Sequence, residues 1–166
     1  PSTTVLKNQS GKTLDITLAK ADITGLDSLN YKFPESFTAL ARDGETTILQ
    51  VVSTLPTVCS KVSHCSSIHI SPNGKFLYGA NRGHDSLAIF AIDEKTGQLT
   101  FINHQATKGK TPRDFCIDPT GAFLLVANQD SDTLITFRID QLTGNLIDIG
   151  IVATVPTPVC LKMIVV

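Results

Sequence analysis

The chain has 166 residues, 42% of them hydrophobic and 17% charged, a balance that suits one soluble domain with a real core and argues against a disordered chain. Lys plus Arg (14) nearly equals Asp plus Glu (15), and a net charge of −1 offers no basic surface to a phosphate backbone, so nucleic acid is not expected as a partner. Apolar runs such as Ile164-Val165-Val166 fall far short of the roughly 20 residues of a membrane helix, and the opening Pro1-Ser2-Thr3-Thr4 lacks the regions of a signal peptide, so no membrane contact and a cytoplasmic setting are expected.

In chain order, Thr4 to Leu18, with Ser10-Gly11-Lys12 at its centre, has the form of a hairpin, whereas Ile23 to Pro34 is uninformative. Asp43-Gly44 is a hairpin turn between Phe37-Thr38-Ala39-Leu40 and Thr46-Thr47-Ile48-Leu49. From there the chain repeats itself. Shifted by 47 residues, Ile68 to Leu99 falls on Phe115 to Leu146 without a gap, and 15 of the 32 pairs are identical. Each repeat predicts four strands: Ser67 to Ile70, then Phe76 to Ala80 after the turn Pro72-Asn73-Gly74, Ser86 to Ile92, and Leu99 to Gln105 after Lys95-Thr96-Gly97-Gln98. Leu87, Ile89 and Ala91 alternate with Ala88, Phe90 and Ile92, so both faces are apolar, as in a sheet sandwiched between two others. Ile48 to Leu55 resembles the outer strand Leu99 to Thr107, and Val159 to Val166 has the register of the first strand of another unit.

A period of 47 residues with turns at these places is that of a four-stranded propeller blade. The expected fold class is therefore all-β: blades of four antiparallel strands in an incomplete arc of about three and a half blades, fewer than the roughly 4 to 8 that close a ring. The blades are expected over residues 48–166, with 1–47 an uncertain N-terminal segment holding hairpins. An open arc leaves unpaired edges and an uncovered blade face, so a homo-oligomer or the missing propeller half is the expected partner.

Alternation of turns places Asn81-Arg82-Gly83-His84-Asp85 on the same rim as Lys108 to Asp114 and as the long connection Pro56 to Ser66. Arginines converging there suit a small anionic ligand, because guanidinium grips a carboxylate or phosphate as a fork. The second repeat has Asn128-Gln129-Asp130-Ser131-Asp132 in place of the first loop. It keeps the scaffold residues but neither Arg nor His, which singles out Arg82 and His84 as functional candidates. The four cysteines, Cys59, Cys65, Cys116 and Cys160, are too few and scattered for a disulfide framework and are expected reduced. Cys59, His64, Cys65 and His69 lack the spacing of a zinc site, and no phosphate-binding glycine motif occurs. No metal and no cofactor are expected.

The runs Ser71-Pro72-Asn73-Gly74-Lys75-Phe76-Leu77-Tyr78, Asn81-Arg82-Gly83-His84-Asp85-Ser86, Lys110-Thr111-Pro112-Arg113-Asp114-Phe115, Asp118-Pro119-Thr120-Gly121 and Val155-Pro156-Thr157-Pro158-Val159-Cys160 resemble the lactonase family of seven-bladed propellers, the 6-phosphogluconolactonase type. The resemblance covers about Ile48 to Met163. It implies hydrolysis of a sugar lactone such as 6-phosphogluconolactone, in the pentose phosphate route. By position, Arg82 and Arg113 would hold the substrate anion and the oxyanion, His69 or His84 would be the base, and Lys110 and Asp85 would be further substrate contacts. Family members usually carry Glu just before the Ile-His pair, and this chain has Ser67 before Ile68-His69. That departure, with the missing blades, supports a second class of function: a catalytically silent propeller segment that binds or scaffolds. Lys32 to Thr47 is faintly similar to the propeller-hydrolase junction of prolyl-oligopeptidase-type peptidases, but the chain has no Gly-x-Ser-x-Gly elbow.

Overall fold

A computed structural model of the chain describes residues 3–7, 13–17, 36–41 and 47–163, with side chains over 50–150 and 153–163. The described residues form three four-stranded antiparallel sheets in sequential order. The first consists of β1 (Thr3–Lys7), β2 (Thr13–Thr17), β3 (Ser36–Ala41) and β4 (Thr47–Ser53). The second holds β5 (His64–Ile70), β6 (Phe76–Arg82), β7 (Ser86–Ile92) and β8 (Leu99–Ala106). The third holds β9 (Pro112–Ile117), β10 (Phe123–Asn128), β11 (Thr133–Ile139) and β12 (Leu146–Thr154), with a 3-10 turn at Gln129–Ser131. This is the partial propeller that the repeat implies. Strands on both sides of residue 47 pair within the first sheet. The turn residues of both N-terminal hairpins, and Ile23 to Pro34, lie outside the described residues. Val159–Met163 forms no strand, and 164–166 lie outside the described residues.

The turns close for local reasons that recur at the 47-residue spacing. Asp93 Oδ1 accepts from the backbone N–H groups of Lys95 (3.0 Å) and Thr96 (2.7 Å), and Asp140 Oδ1 from those of Leu142 (2.9 Å) and Thr143 (3.2 Å). Each aspartate thus makes an Asx turn that ends on a glycine at positive φ, 75° at Gly97 and 74° at Gly144. The first turn of each repeat closes the same way, Gly74 N–H donating to Ser71 O and Gly121 N–H to Asp118 O.

Alternation along the strands builds two cores. Phe76, Tyr78, Leu87 and Ile89 of the second sheet meet Phe115, Leu124, Val126, Ile135 and Phe137 of the third. On the other face, Leu77, Ala88 and Phe90 pack with Val52, Ile68, Ile70 and Ile92 toward the first sheet. The apolar-on-both-faces pattern of β7 is therefore the signature of a blade with neighbours on each side. Tyr78 Oη donates to Gly144 O at 2.9 Å and ties the two sheets through that core.

Candidate functional site

The inner strands β5 and β9 lie side by side, and each is bulged near its start. Between Cys65↔Asn81 and Ile68↔Gly79, β5 carries one extra residue, at Ser66-Ser67. Between Asp114↔Ala127 and Pro112↔Asn128, β9 carries one extra residue, Arg113. A bulge leaves its residue without a ladder partner and re-aims its side chain, which is why bulges recur at the rims of binding sites. Ser66 Oγ donates to Pro112 O at 2.6 Å and joins the two bulges.

Arg82 ends β6, opposite His64, and its Nη2 donates to Cys65 O at 3.5 Å. Desolvation lowers the pKa of its guanidinium, and the Arg113 charge lowers it further. Arg82 Nε is buried with no hydrogen-bond partner. Among the described residues no carboxylate pairs with either arginine, and the ion pair found, Lys108 to Asp148 at 3.8 Å, lies elsewhere. A buried guanidinium N–H left without a partner is costly in a folded chain, and an anion bound there would relieve it; Arg113 itself is exposed.

His69 lies on β5, its ring edge-on to Phe115 at 4.8 Å between centroids. Its Nε2 is 3.2 Å from Ser67 Oγ. Burial lowers its pKa by disfavouring the imidazolium, while the Asp114 charge and a backbone hydrogen bond at Phe115 act the other way. The Asp114 carboxylate itself accepts from Leu161 N–H at 2.8 Å.

Arg82 ends β6, Arg113 is the bulge residue of β9 and His69 lies on β5, the inner strand beside β9; the Arg113 charge is felt at Arg82. The structure places the other candidates differently. His84 Nδ1 contacts Ser86 Oγ at 2.7 Å, and its ring stands 5.7 Å from that of His104, on the outer strand β8. Desolvation, then His104 and Lys61, lower its pKa against a smaller opposing effect of Asp85. Asp85 Oδ1 accepts from Gly83 N–H (3.1 Å) and Thr111 N–H (2.9 Å), and these bonds fasten the two rim loops to each other. That confirms the shared rim and gives Asp85 a positioning task. Lys110 is exposed, and its backbone ties to Ser131 Oγ and Asp130 N–H.

Sequence reasoning missed the contact between Ser67 and His69, because an extra residue in a strand leaves no mark on an alternating pattern. It also missed His104, which has no repeat counterpart to draw attention to it. Cys65 Sγ lies 3.4 Å from Thr54 Oγ1 and His69 faces Ser67, so the paper zinc set of Cys59, His64, Cys65 and His69 does not converge. Among the described residues no group of three or more His, Cys, Asp or Glu is arranged to hold a metal, and no helix is long and apolar enough to cross a membrane.

Comparison with known proteins matches residues 35–163 to the family described as Lactonase, 7-bladed beta-propeller. A protein of Bacillus subtilis named 6-phosphogluconolactonase is 44% identical over 75 residues, which cover 45% of this chain and 22% of that one. Among solved structures, a putative 6-phosphogluconolactonase from Bacteroides fragilis superposes with a TM-score of 0.77 at 35% identity, covering 96% of this chain and 40% of its own. The periplasmic gluconolactonase of Pseudomonas aeruginosa gives 0.76 at 28%, covering 96% and 41%. The chain thus spans less than half the length of each of these three relatives. With the family match extending over more than half the chain, and three four-stranded blades in its structure, this chain belongs to the seven-bladed β-propeller lactonases.

Proposed function

We propose that this chain is part of a lactonase-like hydrolase that opens an anionic sugar lactone, such as 6-phosphogluconolactone. The observation that carries this reading is the Arg82 and Arg113 pair, which has no carboxylate partner among the described residues and keeps a buried unpartnered N–H. A phosphate or carboxylate of the sugar acid supplies the missing charge. Opening the ring adds water across an ester, which needs a base and a cation at the carbonyl oxygen. A His69 ring kept neutral by burial supplies the base, and the arginines supply the positive field. The names of the Bacillus and Pseudomonas relatives support a sugar-lactone substrate.

Calorimetric titration of the purified chain with 6-phosphogluconate and with gluconate tests it. Charge-assisted hydrogen bonds are worth about 1.5–3 kcal/mol, so Arg82→Ala and Arg113→Ala are each expected to weaken 6-phosphogluconate binding about tenfold or more. Equal affinity in the parent and both variants would remove the arginines from the site. Hydrolysis of 6-phosphogluconolactone no faster than its spontaneous opening would remove the activity.

A further inference from the structure

We propose that Ser67 is a covalent nucleophile of this site, activated by His69 Nε2 at 3.2 Å from its Oγ. For its natural substrate the proposal rests on the lactone reading above, but the nucleophile can be tested without it. Three observations carry it. First, the geometry: His69 Nε2 lies within hydrogen-bond reach of Ser67 Oγ, and in the tautomer that leaves Nε2 unprotonated it accepts from Ser67 O–H, as a hydroxyl requires when a base is to take its proton. The Phe115 ring packs edge-on against the imidazole and limits its rotation. Second, Ser67 sits in the bulge of β5, where the side chain is re-aimed out of the regular alternation, and it is partly exposed. Third, the pair exists in one blade only: at the 47-residue spacing its counterparts are Asp114 and Cys116, so the scaffold does not require it. Burial, which keeps His69 neutral, adds to the case without carrying it.

The steps balance. Ser67 Oγ adds to the lactone carbonyl carbon while its proton passes to His69 Nε2. The ring C–O bond then breaks, the departing sugar oxygen takes that proton, and the acid is left esterified to Ser67. Water, deprotonated by His69, adds to this ester. Ser67 leaves and recovers the proton, and the free hydroxy acid departs. One water is consumed and nothing is oxidised. In this proposal the oxyanion of both halves falls to Arg113, the bulge residue of the neighbouring inner strand β9.

The test uses the full 166-residue chain, a fluorophosphonate probe and p-nitrophenyl acetate. The expected results are one fluorophosphonate adduct mapped to Ser67, a burst of one p-nitrophenolate per chain, loss of both in Ser67→Ala, and labelling slowed about 10²-fold or more in His69→Gln. Melting curves of the variants control for folding, and if Ser67→Ala fails to fold, the mapped adduct in the parent decides alone. An adduct elsewhere, no adduct, or an undiminished burst in a folded Ser67→Ala overturns the proposal. Parallel rates with 6-phosphogluconolactone separate the two readings. Equal lactone turnover in parent and Ser67→Ala overturns the nucleophile and leaves the lactonase standing. A labelled Ser67 with no lactone turnover upholds the nucleophile and removes the lactone.

Discussion

His69 shows what burial does to a single residue. Its ring is packed against Phe115, and losing water lowers its pKa from 6.5 despite the Asp114 charge. His84, beside His104 and Lys61, is lowered from the same value, again chiefly by desolvation. Below pH 6.5 and above the folded values, the unfolded chain binds more protons than the folded one, so acidification costs stability there. Above that window the stability is fully present. Asp93, Asp118 and Asp140 have pKa values lowered from 3.8, so their contribution is lost only at more acid pH. The urea midpoint is therefore expected to fall between pH 7 and 5, and less steeply in His69→Gln; a flat profile in the parent would contradict the burial of His69. Arg82 was legible in the sequence because the second repeat lacks it, which marks a residue the scaffold can do without. The Ser67 contact was not, because the bulge that creates it depends on pairing with β6.

At the scale of elements, the repeat carries an inter-sheet clasp. Asn81 Nδ2 donates to Thr54 O at 2.8 Å and to Ser86 Oγ at 3.3 Å, while Thr54 Oγ1 donates to Asn81 Oδ1 at 2.8 Å. One blade on, Asn128 Nδ2 donates to Thr107 O at 3.0 Å, and its Oδ1 has no partner. All four residues are fully buried. Deleting a buried partner costs about 1–3 kcal/mol for each group left unsatisfied. Asn81→Ala is thus expected to lose more stability than Asn128→Ala in matched urea melts, and the reverse order would refute the clasp. The loop between β6 and β7 is held as tightly: Gly83 has φ 92°, and a Cβ there would collide with Val62 O. The strands and turns of the second and third sheets followed from the sequence, since alternation and Asx turns are local. The identity of Asn81 and Asn128 was visible too, but its partner lies in another sheet and was not.

For the whole molecule, the core between the second and third sheets is the largest described cluster, and Phe137 at its centre is fully buried. Phe137→Ala is expected to cost about 3–5 kcal/mol and to accelerate amide exchange in both sheets together; exchange confined to the third sheet would show that the blades open separately. The third sheet turns Leu124 and Leu146 into that core and Phe123 and Ile147 outward, 40% and 42% exposed. Self-association through this face remains a proposal. It predicts a sedimentation mass above 17.8 kDa that rises with concentration and drops in Ile147→Lys, whereas a constant monomer mass would refute it.

Periodicity by itself determined the blade, its turns and its two apolar faces, because a repeat of local signals needs no knowledge of what packs where. The contrast between repeats also isolated Arg82. Only the tertiary structure decided the rest: it put Arg113 in the bulge of β9, turned His84 toward His104 and gave Asp85 to the loops. It also brought Ser67 Oγ to His69. Bulges, inter-sheet hydrogen bonds and desolvation arise only when separate strands meet, so no window along the chain contains them.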